Sequence, residues 1–241
     1  VVPAGSGTNL NVVVTTPSGT SNAATFSYPA PAIASISPGS AAPGASVTIT
    51  GTGFTGATSV TFGGTVATSI TVNSATSITA VVPAGSGTNL NVVVTTPSGT
   101  SNAAMFSYPA PAIASISPGS AADGDSVTIT GTGFTGATSV TFGGTAATSI
   151  TVNSATSITA VVPAGSGTNL NVVVTTPSGT SNAATFSYPA PAIASISPGS
   201  AADGDSVTIT GTGFTGATSV TFGGTAATSI TVNSATSITA V

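Results

Sequence analysis

Residues 31–64 read PAIASISPGSAAPGASVTITGTGFTGATSVTFGG. In Ser46-Val47-Thr48-Ile49-Thr50 apolar and hydroxyl residues alternate strictly, so Val47 and Ile49 point to one side. A period of two is the mark of a half-buried strand, not of a helix. Val60 and Phe62 repeat the pattern just before Gly63-Gly64, which reads as a two-residue hairpin turn. Gly51 and Gly53 ahead of Phe54 suggest a bulge or a tight bend. Upstream, Ile33 and Ile36 open the unit, with a kink before Pro38. Downstream come Ile70 and Val72, then Ile78, Ala80 and Val82, then Leu90, Val92 and Val94, and finally Phe106 and Tyr108. Each run is short and bounded by Gly, Pro, Asn or Ser, with Pro97-Ser98-Gly99 reading as a turn before the last strand. Thr at the outward positions is a good strand former that keeps the solvent face polar. No helical stripe occurs. Seven or so short strands, each with one apolar face, predict an all-β sandwich with a modest core of roughly fifteen inward side chains, each worth about 1.5–3 kcal/mol on full burial.

The unit recurs. VVPAGSGTNLNVVVTTPSGT begins at Val1, Val81 and Val161, a period of 80 residues. Four columns vary: Thr25/Met105/Thr185, Pro43/Asp123/Asp203, Ala45/Asp125/Asp205 and Val66/Ala146/Ala226. Eighty residues suit one small β domain better than one solenoid turn. Pro-Ala-Pro at 29–31, 109–111 and 189–191 reads as a short stiff linker, because Pro fixes φ and pushes its predecessor to extended geometry. Complete domains are therefore expected at 31–108 and 111–188. Residues 1–28 read as the back half of a domain, and residues 191–241 as the front part of another. Those two pieces together make one unit. Strand complementation between chains is one expectation for them; a stretch cut from a longer repetitive chain is the other.

Composition excludes many activities. The 241 residues contain no Lys, Arg, His, Cys or Trp, and only four acids. A chain without cations cannot neutralise phosphates, so no nucleic-acid partner is expected. Polybasic attraction to anionic lipid is lost in the same way, and no apolar run is long enough to insert in a membrane. Zinc sites, thiol chemistry, disulfides and His-dependent triads are gone. Thr and Ser number 47 and 36, so nucleophilic hydroxyls abound, but no general base exists beyond four loop aspartates. No catalytic residue and no cofactor is expected.

At this point the motifs resemble a known family. Ile33-x-x-Ile36-x-Pro38, Val47-Thr48-Ile49-x-Gly51-x-Gly53-Phe54, Val60-x-Phe62-Gly63-Gly64, Ile78-x-Ala80-x-Val82-Pro83 and Phe106-x-Tyr108 are similar to an IPT/TIG domain, an immunoglobulin-like fold. The resemblance spans the whole 80-residue unit and is specific for fold, though fold does not fix activity. It implies tandem immunoglobulin-like sandwiches of the bacterial surface or secreted type, acting as stalks, spacers or adhesive modules. Family members in transcription factors bind DNA through basic loops, which this chain lacks. Those beside starch-processing domains have aromatic-rich neighbours, whereas Phe and Tyr here sit at core-like positions.

Three sets of residues carry candidate sites. Asp123-Gly124-Asp125 and Asp203-Gly204-Asp205 offer part of an oxygen set for Ca²⁺, which needs six to eight ligands; a solvated loop is the plainer reading. Thr48/Thr50, Thr95/Thr96 and Thr15/Thr16 form Thr ladders that an ice-binding surface would also need; polar strand faces explain them more simply. Tyr28, Tyr108 and Tyr188 stand beside the linker, where packing at the domain junction is favoured over ligand contact. No Asn-x-Ser/Thr sequon occurs.

The expected function is structural: a non-enzymatic extracellular or cell-surface filament, fibre or stalk. Near-identical copies should repeat one rotation and rise, of roughly 30–45 Å per domain from strands of about seven residues. A net charge of −4 over the chain gives little repulsion, favouring association with identical chains or neighbouring repeats. The chain also has no trypsin-type cleavage site. The alternatives are a passive spacer in a cell-surface adhesin, with glycan or host ligand bound only by other regions, and an accessory carbohydrate-binding module.

Overall fold

The computed structural model describes residues 1–241, and the chain is all β with no helix. No helix is therefore long and apolar enough to cross a membrane. The chain divides into two compact units, Val1–Ala110 and Pro111–Val241.

The first unit contains a complete nine-stranded domain. Its strands are β1 (Ala32–Ser37), β2 (Ser46–Thr52), β3 (Ser59–Phe62), β4 (Thr65–Val66), β5 (Ser69–Ser74), β6 (Ser77–Val81), β7 (Leu90–Thr96), β8 (Gly99–Thr100) and β9 (Ala104–Phe106). One sheet has the order β1-β2-β6-β5 and the other β8-β7-β3-β4, with β9 also paired to β7. All of these pairings are antiparallel. After β1 the chain passes the cis Ser37–Pro38 bond and crosses to the second sheet, where Ser40 bridges Ser107 in parallel. This sheet-switching first segment and the two-sheet order make an immunoglobulin-like sandwich.

The core follows from the alternation. Ile49 lies opposite Ile78 and Val47 opposite Ala80 in the first sheet. In the second, Val60 lies opposite Val94 and Phe62 opposite Val92. All eight are buried, and together with Phe54, Phe106 and Tyr108 they form one cluster. Val72 shares the face of Ile70 but is 38% exposed, because β5 is an edge strand with nothing beyond it. The Gly63-Gly64 hairpin forms as the sequence indicates: both residues have positive φ, and Phe62 pairs with Thr65.

Near Gly51 the structure refines the reading. The extra residue lies on β1, where the register slips between Ile33 and Ser35, opposite Gly51. Gly51 itself is required sterically. A Cβ there would lie 2.0 Å from the Ala32 carbonyl oxygen and 2.6 Å from Cζ of Phe54. The bend at Gly53 (φ +72°) turns Phe54 back under this glycine and into the core.

A second local device escapes sequence reading. Asn102, in the loop between β8 and β9, accepts from the Ile33 N–H at 2.8 Å and donates to the Ile33 carbonyl at 3.1 Å. One side-chain amide thus acts as a strand partner for β1 beside its bulge and ties the first sheet to the second. In the second unit Asn182 does the same for Ile113, at 2.8 and 3.1 Å.

The second unit repeats the complete domain from Ala112–Ser117 to Ala184–Phe186, with the same sheet orders. It continues into residues 191–241, which form the four-stranded sheet of a further domain around Val207, Ile209, Phe214, Ile238 and Ala240. In the first unit, residues 1–28 form two short two-stranded pieces, Leu10–Val12 with Ala24–Phe26 and Thr15–Thr16 with Gly19–Thr20.

Two substitutions test these features. Gly131→Ala, whose Cβ would meet the Ala112 carbonyl oxygen at 2.0 Å, is expected to cost about 1–3 kcal/mol or more. Asn182→Ala leaves a half-buried N–H and C=O without their partner and is expected to cost about 1–3 kcal/mol. Both losses are read as lower urea midpoints, and an unchanged midpoint would refute the role given to either residue.

Candidate functional site: the domain junctions

The Tyr residues mark one end of each domain. Phe62 and Phe106 meet edge to face at 5.0 Å, and Phe106 meets Tyr108 in the same way at 5.5 Å. The Tyr108 hydroxyl donates to the Pro83 carbonyl at 2.9 Å. In the second unit, Tyr188 packs on Phe186 at 5.4 Å and its hydroxyl donates to Pro163 at 2.8 Å. A glycine lies beneath each phenol: a Cβ on Gly85 or Gly165 would sit 2.7 or 2.6 Å from the hydroxyl oxygen. Tyr108 and Tyr188 are buried. They are packing residues that carry the core out to the point where the linker leaves, and they present no open aromatic platform.

Each unit holds one junction, and the two can be compared column by column. In the first unit, the Gly7 N–H donates to Ser98 Oγ at 2.7 Å, joining residues 1–28 to the following domain. Beside it, Ser6 approaches Gly56 so closely that a Cβ would lie 2.7 Å from Ser6 Oγ. In the second unit, Ser166 approaches Gly216, with the corresponding distance 3.0 Å. Ser6 and Ser166 share one column, as do Gly56 and Gly216. The same close approach is thus made at both junctions.

The linkers are held by glycine as well. A Cβ on Gly53 would lie 3.1 Å from Cα of Pro31, and one on Gly213 would lie 3.1 Å from Cα of Pro191. Both glycines have φ of +72°, so the bend that buries Phe54 or Phe214 also makes room for the linker.

The aspartates are drawn to different partners. Asp125 Oδ2 accepts from the Ala122 N–H at 2.9 Å, and Asp205 does the same for Ala202 at 3.0 Å. Each closes its own turn. Asp123 instead faces the junction: Oδ1 accepts from the Gly165 N–H at 3.2 Å, and Oδ2 from the Thr215 hydroxyl at 2.5 Å. It borders a cavity of about 340 Å³ lined also by Tyr188, Pro189, Pro191 and Gly213. Neighbouring carboxylates in sequence therefore serve separate donors of their own chain, and no group of three metal-type side chains forms.

The hydroxyl rows are ordinary strand faces in part only. Thr48, Thr79 and Thr71 lie side by side across β2, β6 and β5, and Ser35 bonds Thr50 at 2.6 Å. Asn73 bridges the Ser77 and Thr79 hydroxyls at 3.3 and 2.9 Å. Thr95 and Thr96 do not form an outward ladder. Thr96 is buried and caps its own turn, with Oγ1 donating to the Gly99 carbonyl and accepting from the Ser98 N–H. The sequence marks Ser98 only as part of the Pro97-Ser98-Gly99 turn and does not mark Asn102. Their signal is faint: Ser follows Pro in a turn, and Asn sits in a loop rich in Ser and Ala.

These features define the class: a tandem array of immunoglobulin-like sandwiches joined by short proline-fixed linkers. The chain belongs to the IPT/TIG domain family, whose profile matches residues 31–108, 111–188 and 191–241. No curated protein matches it by sequence. Among solved structures it is similar to the surface glycan-binding protein PbSGBP-B from Prevotella bryantii, with 21% identity, a TM-score of 0.48, and coverage of 67% of this chain and 43% of that one. A second similar structure, solved with a xylogluco-oligosaccharide, has 23% identity, a TM-score of 0.45, and coverage of 88% and 54%. The plexin A4 extracellular region has 20% identity, a TM-score of 0.34, and coverage of 87% and 20%. The chain thus spans about half the length of the first two structures it matches.

The junction sets a pH response. Burial raises the ionisation of Tyr108 above its ordinary 10.0. Burial also raises Tyr188, and the nearby Asp123 charge adds to it. A phenol whose ionisation is raised on folding lends stability that is full below pH 10 and is lost as pH rises past the folded value. The contribution of these two phenols is therefore expected to be lost above pH 10, with Tyr108 and Tyr188 forming phenolate later than free tyrosine. Asp123→Ala should make Tyr188 ionise earlier in an absorbance titration, and an unmoved curve would refute the coupling.

Proposed function

We propose that this chain is a non-enzymatic structural protein of the cell surface or extracellular space, whose domains stack into a stiff filament, fibre or stalk that also associates with identical chains. The observation that carries this reading is the repeated junction. Ser6 against Gly56 and Ser166 against Gly216 place the same columns in the same close contact. A junction built on the same contact each time would repeat one step, and a constant step generates a rod or helix without closure.

The surface supports the reading. None of its four varying columns is a buried core position: Met105 and Val66 are each 60% exposed, and the aspartate columns lie in a loop, where Ala45 packs on the edge of the core. The buried core positions and the Ser–Gly approach at the two junctions are built from the same residue types. Low charge removes a barrier to lateral association, and hydroxyl side chains keep the outer faces wet. Catalysis finds little support, since three of the four aspartates, Asp123, Asp125 and Asp205, already serve a backbone or hydroxyl donor.

Negative-stain electron microscopy of the native material tests the proposal. The expected image is beads at a constant axial spacing in continuous fibres. Discrete, unassociated molecules would overturn the filament reading and favour a spacer that holds some other binding region away from the cell.

A further inference from the structure

The junction of the second unit has two kinds of contact. Ser166 against Gly216 is close packing, which sets a distance but little direction. Asp123 supplies direction. Its Oδ2 lies 2.5 Å from the Thr215 hydroxyl, within the short range of an O–H donor on a carboxylate. Its Oδ1 is held at 3.2 Å by the Gly165 N–H of its own domain, so the carboxylate is oriented before it meets its partner. The turn that presents it is held in turn by Asp125, which accepts from the Ala122 N–H. Asp123 is half-buried beside the Tyr188 ring and the linker prolines, where screening by water is reduced.

We infer that Asp123 and Thr215 form a latch that fixes the orientation of the 191–241 domain on the 111–188 domain. Asp123 bridges both sides, through Gly165 on one and Thr215 on the other, and Thr215 is the donor it selects. The latch acts across 92 residues of sequence and one domain boundary. It belongs to the aspartate column alone: Pro43, in the first complete domain, has no side-chain acceptor, whereas Asp203 has one. The latch does not depend on filament formation, since a spacer would use it equally.

The absence of native cysteine makes the test clean. Spin labels are placed at Thr151→Cys and Thr231→Cys, equivalent exposed positions on the two domains. Distance distributions are then measured by pulsed electron resonance on the whole chain. The parent chain is expected to give one narrow distribution. Asp123→Ala and Thr215→Val should each broaden it about twofold or more, toward the free relative motion that is the default between linked domains. The double variant should be no broader than either single one, because the two residues share one interaction. Asp205→Ala, which removes a turn bond away from this junction, should leave the width unchanged. Thr215→Val keeps the Gly165 bond and so isolates the latch from the fold of the Asp123 domain. An unchanged width in Thr215→Val, or equal broadening in Asp205→Ala, would overturn the inference. Because the readout is internal to one chain, its failure is distinct from a failure to form fibres.

Discussion

The aromatic stack from Phe62 through Phe106 to Tyr108, repeated as Phe142, Phe186 and Tyr188, is the interaction on which the rest of each complete domain depends. Its first member belongs to β3 and its second to β9, so it spans one sheet of the sandwich beneath the other. Its third member leaves the sheet and closes on the Pro83 carbonyl over Gly85. Edge-to-face geometry lets three rings share a narrow space without a face-to-face clash of their electron-rich surfaces. The stack therefore transmits the packing of the core to the end of the domain, where the linker starts. A chain without charged pairs or disulfides has few other ways to make that end rigid.

Polar groups inside the domain are paired locally. No buried side-chain nitrogen or oxygen lacks a hydrogen-bond partner. Thr96 caps a turn, Asn102 replaces a missing strand partner, and Asn89, in a left-handed conformation, donates its N–H to Ser107 Oγ at 3.0 Å. Side-chain hydroxyls and amides thus do work that charged groups do in other surfaces, and they do so without adding a net field. Salt therefore finds few charges to screen in these domains.

Much of this was legible in the sequence, and the reason is the spacing. Val47, Ile49, Val60 and Phe62 alternate with hydroxyl residues, and that pattern carries the strand, its buried face and its sheet. Gly63-Gly64 was equally readable, since two successive positive φ values have few other solutions. Gly51 was readable as a special position but not for its reason, because the carbonyl that excludes a side chain comes from Ala32, on the neighbouring strand. The Asn102 clamp was hidden for the same cause: it joins residues 69 apart. At the candidate site, the aspartates stood out by charge, yet their division of labour was not visible. Asp125 serves a donor three residues away, while Asp123 finds Thr215 in another domain. Spacing along the chain says nothing about which of two adjacent carboxylates faces a neighbour.

Ser166 and Gly216 stand 50 residues apart, and every full 80-residue period carries one residue of each column. Each repeat therefore carries both a plug and a socket, and neither depends on a specialised terminal piece. A coding segment duplicated or deleted in register gives a chain in which every mating surface is already complete. Length can then drift from one lineage to the next without any joint having to be invented again.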